Sequence, residues 1–191
     1  MKKVLIMMVV VLSVAQFAFA GMEGGDKEIQ IQGSMSNITN SEDDSEITTT
    51  NLQLAFNYFF TSNFSIGGTW WGNRSTFSPD EGDDSTLTNN FLLLRATGYL
   101  GSATSKVVPY LGGQVGQSSY TLESGDFDDS GSTSAYGWHV GLKIFATENT
   151  SWNIELNQTI YSPDIDEEEG EEELDIDLTN TQILVGFSYY F

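Results

Sequence analysis

The sequence predicts an all-β protein: an eight-stranded antiparallel up-and-down transmembrane β-barrel, preceded by a cleaved signal peptide. Three observations support this fold class. Apolar and polar side chains alternate in eight segments of about ten residues, which is the pattern of strands with one apolar face. Four acidic clusters, holding 22 of the 27 acidic residues, occupy every second gap between these segments. The other gaps are short, and long connections on one rim with tight turns on the other are typical of transmembrane barrels.

The first twenty residues have the pattern of a secretory signal peptide. Two lysines precede an apolar stretch, residues 4–14, and a small-x-small site ends at Ala20. A positive amino terminus, a short apolar run and such a site mark a segment that is removed on export, whereas a spanning helix needs roughly 20 apolar residues. We therefore expect residues 1–20 to be the signal peptide and residues 21–191 to form one β-barrel domain.

The first four predicted strands follow this segment. In residues 29–36 and 51–60, isoleucine, leucine and aromatic side chains alternate with glutamine, asparagine and serine. Residues 64–72 are interrupted by glycine, and residues 90–100 are apolar on both faces. Successive side chains of a strand point to opposite faces, so the alternating segments each have one apolar and one polar face.

The last four predicted strands show the alternation most clearly near the carboxyl terminus. Residues 107–117 are rich in glycine, with a proline near their start, where a missing donor costs little. Residues 136–145 and 152–160 alternate over their whole length, and in residues 182–191 every second side chain is large and apolar. The eight segments together are enough for a small barrel.

The connections between the strands differ on the two rims. Three of them are a few residues long and carry one acid between them. The other four hold the acidic clusters, for which the sequence predicts long loops: Glu42, Asp43, Asp44 and Glu46; Asp80, Glu81, Asp83 and Asp84; Glu123, Asp126, Asp128 and Asp129; and ten acids from Asp164 to Asp177.

The composition of the polar faces predicts which face is inside. A polar face in bulk water would carry many lysines and glutamates, but these faces consist of glutamine, asparagine, serine, threonine and glycine. Such a face suits the narrow lumen of an eight-stranded barrel, which side chains must fill. The apolar face then contacts lipid. A soluble lipocalin-like ligand-binding barrel, with the opposite orientation, is the least favoured alternative.

Aromatic side chains are concentrated near the strand ends, as expected for girdles at the two membrane interfaces. Aromatic residues also favour strands in general, so this observation has a second explanation. The predicted girdles consist of Phe60, Phe64, Tyr99, Phe145, Trp152 and Phe191 by the short turns, and Trp70, Trp71, Tyr120, Tyr136 and Tyr161 by the long loops.

The carboxyl terminus carries a family resemblance. Phe187, Tyr189 and Phe191 alternate at the end of the last strand. With the signal peptide and eight alternating segments, this resembles the small OmpA/OmpX-type outer-membrane β-barrels of Gram-negative bacteria. The resemblance implies that the chain resides in the outer membrane and that the barrel-assembly machinery reads its last strand. It implies no chemistry.

Four residues on the polar faces carry or can gain charge: Arg95, His139, Lys143 and Glu155. Pairing across the turn near residues 146–149 places Glu155 opposite Lys143 or Gly141, depending on register. Positive groups around one carboxylate would compensate a burial that is costly for a lone charge. We expect a structural network inside the lumen, with a gated ion path as the less favoured interpretation.

An enzyme is disfavoured because the chain has one histidine. A nucleophilic serine needs a general base within hydrogen-bond reach. His139 is predicted at mid-strand in the lumen, and its neighbour two residues on is Gly141 rather than serine. We predict no catalytic residues and no cofactor.

Net charge limits the partners. After residue 20 the chain has five basic and 27 acidic residues, which gives a charge of −22. Nucleic acid is excluded, because binding its phosphates requires basic side chains. The acidic clusters could bind Ca²⁺ or Mg²⁺ weakly and bridge to lipopolysaccharide phosphates, although such runs are usually only solvated.

The function predicted from the sequence is structural, or an interaction at the cell surface such as adhesion or binding, through four acidic loops on a monomeric barrel. Loops on a rigid scaffold usually carry function. The alternative is a narrow cation-preferring porin, because an anionic vestibule concentrates cations. The small lumen of eight strands argues against it.

Overall fold

The described residues of the computed structural model are 22–39, 46–79, 84–101, 105–125, 127–161 and 178–191. They form a closed antiparallel barrel in which each strand pairs with the next and the last pairs with the first. No helix in these ranges is long and apolar enough to cross a membrane. The strands are β1 (Lys27–Thr39), β2 (Glu46–Thr61), β3 (Phe64–Ser78), β4 (Ser85–Tyr99), β5 (Val107–Ser124), β6 (Phe127–Thr147), β7 (Thr150–Tyr161) and β8 (Leu178–Tyr190).

The predicted fold class and orientation are confirmed. On β2 the buried and exposed side chains alternate from Asn51 to Phe60, with the amides and Phe59 inside and the leucines and other aromatic residues outside. On β4, Leu92 is 69% exposed whereas its neighbour Leu93 is 2% exposed. The outer surface is therefore apolar, as lipid requires, and the polar faces line the lumen. The predicted signal peptide, residues 1–20, lies outside the described residues.

Two of the tight turns use the same Thr-x-Asn device. After β2, the backbone N–H of Asn63 donates to Thr61 Oγ1 at 3.2 Å, and its side-chain Nδ2 donates to the carbonyl of Tyr99 at 2.9 Å. After β6, Asn149 makes the equivalent bonds to Thr147 Oγ1 and the Tyr190 carbonyl. Each asparagine thus satisfies a carbonyl at the end of a neighbouring strand.

The prediction of a long acidic loop between the fifth and sixth strands is wrong. β5 and β6 continue as a tall hairpin until Ser124 pairs with Phe127, so Glu123, Asp128 and Asp129 lie within strands. Gly125 has a φ of 58°, a left-handed conformation that favours a tight turn. The predicted loops at residues 42–44, 80–83 and 164–177 lie outside the described residues.

Aromatic rings also fill both ends of the lumen. Four of the eleven residues assigned to the girdles, Trp71, Tyr99, Phe145 and Tyr161, are buried inside the barrel. The alternation that places polar residues inside continues to the strand ends, so rings on that face turn inward. The prediction is wrong for these four. Six of the others are exposed on the outer face: Phe60, Phe64, Trp70, Tyr136, Trp152 and Phe191.

The short-turn end is closed by the segment that precedes β1. Gly25 N donates to the Phe59 carbonyl at 2.7 Å, and Phe59 N donates to the Asp26 carbonyl at 2.9 Å. This pairing fixes the segment against β2. Met22 is 1% exposed and packs in a buried cluster with Phe59, Tyr99, Val108, Tyr110, Phe145 and Tyr190. Near the loop end, a second cluster contains Trp71, Phe91, Leu93, Ala135 and Tyr161.

Candidate functional site

The middle of the lumen holds an ion pair between Arg95 of β4 and Glu155 of β7. Arg95 Nη2 lies 2.8 Å from Glu155 Oε2, and both side chains are buried. The same oxygen accepts a hydrogen bond from the Tyr110 hydroxyl at 2.9 Å, and Oε1 accepts one from Asn157 Nδ2 at 3.2 Å. Opposite charge and three donors compensate the removal of this carboxylate from water.

A second buried pair joins Lys143 of β6 and Glu28 of β1. The Lys143 ammonium donates to Glu28 Oε1 and lies 3.3 Å from Asn153 Oδ1 and 3.4 Å from Ser188 Oγ. The other Glu28 oxygen accepts a bond from Asn57 Nδ2 at 3.0 Å. β1 and β6 are not neighbours in the sheet, so their side chains meet only because the closed barrel brings them together across the lumen.

Three tyrosine rings surround the Lys143 ammonium. Its nitrogen lies 6.0, 5.4 and 5.7 Å from the ring centroids of Tyr99, Tyr110 and Tyr190. Ring faces attract a cation, and the attraction is stronger where water is excluded. Tyr110 contacts both ion pairs, because its ring faces Lys143 and its hydroxyl bonds to Glu155.

His139 lies beside these pairs and makes a separate contact. Its Nε2 is 3.0 Å from Thr97 Oγ1, and the ring is 1% exposed. The space for the ring comes from Gly112, which is paired with His139 in register and where an added Cβ would overlap the imidazole. Arg95 is paired in register with Gln114, which lies on the same strand as Gly112.

The four predicted lumen residues thus take part in three separate contacts rather than in one. The structure brings Arg95 and Glu155 together and sets Gly141, not Lys143, opposite Glu155 in register. Lys143 instead binds Glu28, which the sequence reading missed. The sequence does indicate that Glu28 faces the lumen, because it continues the polar face of the first strand two residues before Gln30. The predicted strand began at Ile29, whereas β1 begins at Lys27, and so the prediction did not include Glu28.

The chemistry of this region is that of a neutralised core. The two pairs match two positive with two negative side chains, and each carboxylate accepts bonds from at least two side chains. Among the described residues, no group of three or more histidine, cysteine, aspartate or glutamate side chains is arranged to hold a metal ion. The arrangement stabilises the interior by pairing each buried charge with an opposite one.

The three predicted assembly residues lie on the lipid-facing side of β8. Phe187, Tyr189 and Phe191 are 39%, 49% and 52% exposed. Trp152 on β7 packs edge-on against Phe187, with ring centroids 5.9 Å apart. Lys27 exchanges two backbone hydrogen bonds of 3.0 Å with Phe191, and these bonds help to join the first and last strands of the barrel. Their reading by the assembly machinery stays a prediction.

The family follows from a match over nearly the whole chain. Residues 4–191 match the model of the outer membrane protein beta-barrel domain. The chain belongs to this family. The predicted resemblance is therefore confirmed, and the protein resides in the outer membrane of a Gram-negative bacterium. Among curated proteins, no sequence matches it.

Solved structures of other outer-membrane barrels have the same fold. The attachment invasion locus protein Ail of Yersinia pestis matches with a TM-score of 0.56 at 16% identity, over 89% of this chain and 100% of Ail. The amino-terminal barrel of Pseudomonas aeruginosa OprF gives 0.55 at 14%, over 89% and 100%. Neisserial surface protein A gives 0.57 at 13%, over 87% and 99%. At such identities the likeness concerns the fold alone.

Proposed function

We propose that this barrel is a non-conducting, non-catalytic protein that presents a binding surface at the outside of the cell. The observation that carries the proposal is the filling of the lumen. Aromatic clusters occupy both of its ends, and the two ion pairs occupy the middle. Eight strands enclose little more space than side chains fill, so ions have no wide path.

The loop end of the barrel supports a surface role. β6 pairs with β7 only from Ala135 onward, so residues 127–134 extend beyond β7 and pair with β5. A tall, hydrogen-bonded hairpin is a rigid support for an interaction surface, and function commonly resides on such projecting segments.

Catalysis is disfavoured by the surroundings of His139. Its hydroxyl neighbour, Thr97, is 4% exposed, and no side chain within the described residues orients the His139 Nδ1 atom through a hydrogen bond. A nucleophile needs an oriented base and access to the substrate. The Thr97–His139 contact has neither.

Conductance separates this function from a narrow cation-preferring channel. The acidic composition would favour cations in a vestibule, which is the argument for a channel. We expect the purified barrel to give no steady conductance steps in planar phosphatidylcholine bilayers that are bathed in KCl solution. Reproducible cation-selective steps would contradict the proposal and support the channel.

The expected partners are outer-membrane lipid and lipopolysaccharide, bound through divalent ions. The chain has a net charge of −20, so it repels anionic groups unless Ca²⁺ or Mg²⁺ intervenes. The Yersinia pestis protein Ail, in contrast, has been solved with the anionic heparin analogue sucrose octasulfate. We expect this chain, as a monomer, to bind that compound poorly.

Proteolysis of intact cells tests the display of the acidic segments. We expect protease added outside the cells to cleave between residues 162 and 177, and 5 mM Ca²⁺ to slow this cleavage relative to a chelator. Protection in intact cells, with cleavage only after lysis, would place these segments on the other side of the membrane. Equal rates with Ca²⁺ and chelator would contradict the divalent bridge alone.

A further inference from the structure

An open cavity lies in the loop-end mouth of the barrel, above the aromatic cluster. Its volume is about 450 Å³, and residues of β2, β3 and β4 line it on one side and residues of β7 and β8 on the other. That volume is within the range of pockets that bind small molecules, roughly 300 to 1,000 Å³. All of its lining residues lie near the loop ends of their strands, so it faces the outside of the cell.

The lining of this mouth cavity is polar and uncharged. Seven of its ten residues are threonine, serine or asparagine, two are leucine, and the tenth is Tyr161. The absence of charge among these described residues contrasts with the net charge of −20 of the chain. A cation would find no carboxylate in this lining and an anion no basic group, so the chemistry suits a neutral ligand.

Several of these polar groups are fixed by hydrogen bonds to their neighbours. Thr49 Oγ1 lies 3.1 Å from Ser75 Oγ, and Gln182 Nε2 donates to Asn180 Oδ1 at 2.9 Å. A hydroxyl can donate one bond and accept two, so each keeps capacity for a ligand. Groups that are held in place before binding lose little conformational entropy when a ligand arrives.

One lining residue has an unsatisfied group. Asn89 is 2% exposed, and its carboxamide oxygen is buried without a hydrogen-bond partner among the described residues. A buried acceptor without a partner costs free energy, and a ligand donor would relieve that cost. The unsatisfied oxygen is the second, independent sign that the cavity is built for an occupant.

The aromatic side of the cavity is rigid. Tyr161 lines it and packs edge-on against Phe91, with ring centroids 5.4 Å apart. Phe91 in turn stacks on Trp71 at 4.3 Å. A ring held in this way gives a ligand an apolar contact at little entropic cost.

We propose that the mouth cavity binds a neutral saccharide. A sugar presents hydroxyls that both donate and accept, which matches the threonine, serine and asparagine lining, and it has apolar C–H faces for Tyr161. A neutral sugar also avoids repulsion by the acidic chain. The proposal rests on the proposed function only in that the loop end must face the outside of the cell.

Saturation-transfer NMR on the purified barrel tests this proposal. The barrel is refolded in a zwitterionic detergent, because a maltoside detergent would itself supply sugar. The probes are glucose, galactose, mannose and N-acetylglucosamine, with glucuronate as the anionic comparison. We expect saturable binding of at least one neutral probe and at least tenfold weaker binding of glucuronate. No saturable binding, or equal binding of glucuronate, would overturn the proposal.

Three variants locate the binding. Asn89→Leu removes the unpaired oxygen and should weaken binding about threefold to tenfold, the effect of one uncharged hydrogen bond. Asn180→Trp places bulk on a half-buried lining position of the inward face of β8 and should abolish binding. Asn90→Leu, the neighbouring outward residue on β4, is the matched control and should bind as the unsubstituted chain does. Equal loss in all three would refute the location.

The source of the sugar is decided by a second arm. Vesicles containing a neutral glycolipid are compared with the free probe that binds best. Tighter binding to the vesicles indicates a surface glycan, and equal binding indicates a free sugar; both support the saccharide site. Heat-modifiable gel migration confirms that each variant is folded. Channel conductance would refute the proposed function and leave this site intact, whereas failure to bind sugar would refute this site alone.

Discussion

Replacement of Glu155 by leucine removes the acceptor that neutralises Arg95 inside the barrel. Glu155 accepts bonds from Arg95, Tyr110 and Asn157, and its side chain is fully buried. Leucine has a similar volume, so the main effect is electrostatic rather than a cavity. Arg95, 3% exposed, then keeps its charge without a partner.

The expected loss of stability is about 3 to 5 kcal/mol, the range for leaving one member of a buried ion pair uncompensated. Arg95→Met should cost a similar amount, because it leaves the Glu155 carboxylate alone. The double variant Arg95→Met/Glu155→Leu should lie within about 2 kcal/mol of the unsubstituted chain, since apolar replacement of a whole buried pair is often nearly neutral. The singles should therefore be strongly non-additive.

Urea unfolding in phosphatidylcholine vesicles measures these differences. Tryptophan emission reports the transition, because Trp70, Trp138 and Trp152 face the lipid. An unchanged unfolding midpoint for Glu155→Leu, or a double variant as unstable as the sum of the singles, would refute the reasoning. The division into two pairs has its own control. Lys143→Met should couple to Glu28→Leu by more than about 1 kcal/mol and to Glu155→Leu by less than about 0.5 kcal/mol.

Three further predictions concern packing and assembly. Gly112→Ala should destabilise the barrel by about 1 to 3 kcal/mol in the same urea assay, because its Cβ would overlap the backbone carbonyl of Ala96 and the His139 ring, whereas at Gly113 the nearest atom is 3.9 Å away and alanine should be tolerated. Met22→Ala should lower the free energy of unfolding by about 2 to 5 kcal/mol, because it opens a cavity in the buried cluster at the short-turn end. Met35→Ala, at a position 73% exposed, should lower it much less. Equal losses would refute the closure of that end by Met22. Phe191→Ala keeps the backbone bonds and should lower outer-membrane yield in cells while leaving refolding yield in detergent unchanged, as heat-modifiable gels would show; unchanged yield in cells would contradict the assembly role.

The sequence determined those features that depend on neighbours along the chain. Alternation with a period of two set the inner and outer faces of β2 and β6, and the short polar gaps placed the tight turns. The same alternation could have placed Glu28 and the ends of the aromatic rows inside, had it been extended to the strand ends. Gly125 could likewise have indicated the tall hairpin, because a glycine between paired strands permits a tight left-handed turn.

The partners across the lumen were decided only by the tertiary structure. The sequence allowed Glu155 to face either Lys143 or Gly141, and these two registers differ by two residues without changing the face of any side chain. Closing the sheet fixes the stagger of all eight strands at once, which brings Glu28 to Lys143, 115 residues away. No local pattern contains that information, because contacts across the lumen depend on the shear of the whole barrel and on the volume that the other side chains leave.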